Sequence, residues 1–202
     1  MNWGNLGRKR IRGLRRHFRN LRQWATKPSE LRLVDDTWLA RHQQTALNVI
    51  ADPWLSCKEV PRKQEFRALW VERFVRTLPH WHAQLKSRYS AFYLAIHLHE
   101  PTPESFCQSR LRAAVNERRL LYENIFGVAQ DRPLPLEYLA VPGIDTLDWR
   151  AYANWSSSYT LEEFERAGTS LSTKPHKRVE TEWGEPGIIV LLDWVWVGQV
   201  RE

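Results

Sequence analysis

The residues best placed to do chemistry are the pair in His97-Leu98-His99. They close the run Ala-Phe-Tyr-Leu-Ala-Ile-His-Leu-His (91–99), whose period of two predicts a strand. Phe92, Leu94, Ile96 and Leu98 then share one face, and Tyr93, Ala95, His97 and His99 the other. Two imidazoles spaced this way stand about 7 Å apart and can reach one divalent metal, with Glu100 as an assisting ligand. His80-Trp81-His82 is a second pair, but on a helix residues two apart diverge and cannot chelate together. Glu180 and Glu182 share a strand face, with Asp193 nearby if a C-terminal hairpin forms. Clustered carboxylates of that kind bind Mg²⁺ or act as acid and base. Each set also has a plain structural reading: a solvated sheet face, an exposed turn and a half-exposed strand. That plain reading is the expectation for all three.

The His-Leu-His tripeptide resembles the His-hydrophobic-His motif of rolling-circle replication initiators and relaxases. The resemblance implies a divalent cation held by His97 and His99, and a helix-borne tyrosine, Tyr122, that attacks a DNA phosphate. It covers only a short stretch, and Phe126 stands where the initiators carry a lysine four residues after the tyrosine. A metal-dependent DNA-nicking enzyme is therefore carried as an alternative.

Other cofactor chemistry is not encoded in any motif. No Gly-rich phosphate loop and no Gly-x-Ser-x-Gly elbow occurs. Cys57 and Cys107 have no companion at ligand spacing, which argues for free thiols in a reducing, cytoplasmic setting. No small-molecule cofactor is expected.

Charge is the stronger signal. The 202 residues carry 30 basic and 23 acidic side chains, a formal net charge of +7. Arg8, Lys9, Arg10, Arg12, Arg15, Arg16, Arg19, Arg22 and Lys27 all precede residue 30, and that segment has no Asp or Glu before Glu30. The remainder of the chain is nearly neutral. Such asymmetry points to an anionic partner. Ile11, Leu14, Phe18, Leu21 and Ala25 recur at helical spacing, with the arginines in a stripe beside them. The expectation is a non-catalytic polyanion-binding protein. It engages nucleic acid through Arg8, Lys9, Arg12, Arg15, Arg16, Arg19 and Arg22. An anionic membrane surface and an acidic protein patch are the other partners the same helix would suit.

The elements that must position these groups are legible from period and punctuation. Residues 1–28 read as a basic amphipathic arm ending at Pro28, and 29–202 as a globular α+β domain. Helices are expected over about 36–51, from about Pro61 to Pro79, over 81–89, from Thr102 to Phe126, and from Thr160 to Gly168. Leu134, Leu136 and Tyr138 suggest an edge strand, and 142–159 is ambiguous. Arg178–Trp183 and Ile188–Val200 form a hairpin across Gly184-Glu185-Pro186-Gly187. Both alternating sets of the last strand are apolar, apart from Asp193, which predicts a central strand. The expected fold is four or five helices with a small, mainly antiparallel sheet.

Overall fold

The computed structural model describes residues 19, 22–23, 25–28, 45–48, 64–106, 108–115, 126–156, 158–168, 173–181 and 184–200. In chain order the elements are β1 (Thr45–Asn48), α1 (Gln64–Lys86), β2 (Phe92–His99), α2 (Pro103–Phe106) and β3 (Arg110–Val115). After these come α3 (Leu136–Leu139), a 3₁₀ turn (Ile144–Thr146), β4 (Leu147–Trp155) and β5 (Tyr159–Thr160). The chain closes with α4 (Leu161–Ala167), β6 (His176–Glu180) and β7 (Pro186–Val200).

All seven strands join one antiparallel sheet in the order β1-β3-β2-β7-β4, with β5 and β6 pairing the first half of β7. The 15-residue β7 is the spine: its second half lies between β2 and β4, its first half between β5 and β6. Apolar side chains on both faces suit that position, because both faces are covered. The register slips once. Asn154 faces Asp193, yet Trp155 faces Leu191, so Leu192 is an extra residue in β7. It is correspondingly exposed, and the strict alternation of the strand breaks there.

Helix α1 lies along one side of the sheet. Trp70, Val71, Phe74, Val75, Leu78, Trp81 and Leu85 are buried against Leu94, Ile96, Leu98, Leu111, Ala113 and Trp196. The helix was expected to stop at Pro79, and it continues to Lys86 with Pro79 inside. Trp81 and Leu85, beyond the proline, are fully buried. Burying two such side chains is worth roughly 1.5–3 kcal/mol each, enough to offset the ~3 kcal/mol of an interior proline.

The balance of helix and strand is the main correction to the sequence expectation. In place of four or five helices and a small sheet, the described residues form seven strands. Outside the arm, only α1 and α4 among the described elements exceed a single helical turn. Three segments account for this. Thr45–Asn48, expected inside a helix, pairs with β3. The helix from Thr102 starts as expected, with Thr102 Oγ1 accepting from Ser105 N at 3.2 Å. It ends at Phe106, and Arg110–Val115 pairs with both β1 and β2. Two neighbouring strands outweigh the weak helical preference of Arg-Leu-Arg-Ala-Ala-Val. Leu136–Leu139, expected as an edge strand, is a helical turn. Pro133 and Pro135 remove ladder donors, while Pro135 O accepts from Tyr138 N at 2.8 Å.

The 142–159 region holds the 3₁₀ turn, β4, which pairs along the second half of β7, and the start of β5. Thr160 and Glu163 form a reciprocal capping box at the start of α4.

Candidate functional site

The strand containing His97 and His99 forms as its alternation requires. Leu94, Ile96 and Leu98 face α1, while Tyr93 and Ala95 pack on the opposite side with Val195, Val197 and Tyr152. His97 and His99 share that second face. They are not solvated, as the plain structural reading had expected: His97 is 2% exposed and His99 3%. The sheet is wide enough that β3 on one side and β7 on the other flank them.

His99 is held at several points. Its Nδ1 lies 2.6 Å from Asp193 Oδ2, and Asn154 Nδ2 donates to Asp193 Oδ1 at 2.5 Å. A carboxylate only accepts, so Nδ1 carries a proton in this contact. The His99 backbone is fixed as well. Its N–H donates to Ser109 Oγ at 2.9 Å, and its carbonyl accepts from Tyr138 Oη at 2.5 Å. Burial pushes the Tyr138 hydroxyl far above the ordinary phenol range, so it stays a donor. Asp193, the polar exception in β7, is 4% exposed and owes its place to these two donors.

His97 differs. Burial, reinforced by the Arg112 and Arg110 guanidiniums and by His99, holds its pKa well below the usual imidazole range. It is a neutral ring among cations. Arg110 sits opposite His97 in the β2–β3 register, and Arg112 opposite Ala95. The period of two therefore places both arginines on the His97 face. Arg112 Nε is buried without a hydrogen-bond partner.

The metal reading finds limited support in this geometry. His97 and His99 are on one face, but Asp193 engages His99 by a hydrogen bond, and Glu100 pairs with Arg132 at 3.8 Å. Among the described residues, no group of three His, Cys, Asp or Glu side chains is arranged to hold an ion. Tyr122 lies outside the described residues.

The second histidine pair is separated by the continuous helix. His80 contacts Gln84 Nε2 at 2.8 Å and His82 packs edge-on against Phe92 at 5.2 Å. The carboxylate cluster is also dispersed. Glu180 pairs with Pro186, seven residues along β7 from Asp193, or about 23 Å at strand rise. Glu182 is outside the described residues.

Of the arm residues, Arg8, Lys9, Arg12, Arg15 and Arg16 lie outside the described set. Arg19 and Arg22 are helical and exposed, whereas Ala25, from the apolar stripe, is 1% exposed.

Asn154, Ser109, Arg110 and Arg112 were not expected at a site. Asn154 sat in an ambiguous stretch, and Arg110-Leu111-Arg112 in a segment read as helix. The alternation of arginine and leucine at 110–112 was the available signal. No protein-family model, curated protein or solved structure matches this chain.

Proposed function

We propose that the chain is a non-catalytic polyanion-binding protein that engages nucleic acid through its N-terminal arginine-rich helix. One observation carries the reading: nine basic and no acidic side chains before Glu30, with Arg19 and Arg22 exposed while Ala25 of the apolar stripe is buried. A helix docked by its apolar stripe presents its cations outward. Arginines in such an array contact successive phosphates, and most of the affinity comes from released counterions.

The test is a salt titration of binding to mixed-sequence DNA and RNA, using the full chain and a variant with Arg12, Arg15, Arg16, Arg19 and Arg22 replaced by Gln. The expected result is a steep dependence of log K on log salt. Its slope falls by roughly 0.7–0.9 for each phosphate contact removed. Equal affinity and slope in both proteins overturns the reading. So does binding only to vesicles of anionic lipid, which transfers the helix to a membrane surface.

A further inference from the structure

The sheet face opposite α1 combines features that a purely structural face does not need. Arg110 and Arg112 stand on neighbouring same-face positions of β3, beside the buried ring of His97 on β2. Arg112 as a whole is half-buried. Its Nε is buried with no acceptor. A buried N–H without an acceptor is costly, and more so on a cation.

The described carboxylates on this face do not supply that acceptor. Asp193 lies on β7, two strands from β3 and six residues along the strand from the level of Arg112, about 22 Å away at strand spacing and rise, and is already engaged by His99 and Asn154. Asp148, on β4, is three strands across from Arg112, about 14 Å at strand spacing. Arg112 is thus left beside a second guanidinium and a neutral imidazole, with its buried Nε–H unmatched.

We propose that this face binds an oxyanion, a phosphate or carboxylate group of a ligand, at Arg112, with Arg110 and His97 alongside. The anion would accept from Arg112 Nε and the terminal guanidinium nitrogens in the forked geometry that arginine favours for such groups. His97, being neutral, stands beside the anion without adding repulsion between cations. The proposed site uses none of the arm arginines and does not depend on nucleic-acid binding there.

Thermal unfolding of the full chain, followed in rising inorganic phosphate and separately in rising acetate at constant ionic strength, tests the proposal. At about a hundredfold excess over Kd, the Tm of the wild-type chain should rise by roughly 5–10 °C. Arg112→Met should show no such rise. Without anion it should be at least as stable as the wild type, because it removes an unmade hydrogen bond. A response to phosphate alone assigns a phosphoryl ligand, and a response to acetate alone a carboxylate.

The proposal is overturned by no rise with either anion, by equal rises in both proteins, or by an Arg112→Met chain that is less stable without anion. The last result would make Arg112 a structural residue. A wild-type readout stands beside these in case the variant does not fold: the His97 ring resonances should shift on adding phosphate, and their constancy sinks the idea. Replacing the five arm arginines by Gln should leave every one of these responses unchanged.

Discussion

The two faces of the central sheet are made by the same strands and solve different problems. Against α1, Leu94, Ile96, Leu98, Leu111, Ala113 and Trp196 form an apolar layer in which burial alone does the stabilising. On the other face, the same strands present Tyr93, His97, His99, Arg110, Arg112 and Asp193, and hydrogen bonds between strands match the buried His99 with Asp193 and Tyr93 with Gln199. The first face tolerates any side chain of suitable size. The second requires particular atoms, since each buried polar group needs its partner. The difference teaches that the fold's stability and its chemistry are segregated by strand alternation.

The contrast can be broken most directly from the α1 side. Trp81→Ala should cost about 3–5 kcal/mol, read as a lower denaturant midpoint with unchanged slope. Trp81 is fully buried beyond Pro79, so the loss also tests whether packing carries the helix through the proline. A loss below about 1 kcal/mol would mean that α1 is not the main source of stability.

On the polar face, Asp193→Ala should cost about 3 kcal/mol, because it strands His99 Nδ1–H and Asn154 Nδ2 without an acceptor. The same substitution combined with His99→Phe should lose clearly less than the sum of the two single changes. Strict additivity would show that the pair is not coupled, and the two faces would then differ only in composition.

Gly198 marks the limit of tolerance on the apolar side. A Cβ there would meet the Trp149 ring at 2.6–2.7 Å, and Trp149 Nε1 is tied to the Ile144 carbonyl at 2.8 Å. Gly198→Ala should therefore cost roughly 1–3 kcal/mol by overpacking. A neutral result in the same denaturation assay would show that the indole moves aside.

The smallest effect is the pH response of the polar face. His97 stays neutral in the fold, while the unfolded chain takes up a proton near the ordinary value of 6.5. Its contribution is therefore flat above that pH. Stability declines as the pH falls below it, by up to about 1.4 kcal/mol per unit, until the folded ring protonates. His97→Met should remove that part of the slope between pH 6.5 and the folded value, whereas Trp81→Ala should leave it in place.

How far the sequence could be read depended on whether the local signal was decisive. The period of two in 91–99 defined β2 and the shared face of His97 and His99 without any tertiary information. The capping box at Thr160 and Glu163 was equally legible, because both of its bonds lie within four residues. Arg110–Val115 was not legible, since a short segment of arginine, leucine and alanine suits helix or strand and its two neighbouring strands decided the outcome. Pro79 was misleading for the converse reason. Its local cost is real, but the burial that offsets it belongs to the sheet.

By itself, then, the chain determined its charge asymmetry, the alternation of β2 and the central place of β7. All three are properties of spacing and composition over short distances. Only the tertiary structure decided that His99 meets Asp193 from 94 residues away, with Asn154 on the far side of the carboxylate. It also decided that Arg110 and Arg112 gather beside His97. Those contacts are set by strand order and register, which arise from many weak pairings made together and leave no mark on any one stretch of sequence.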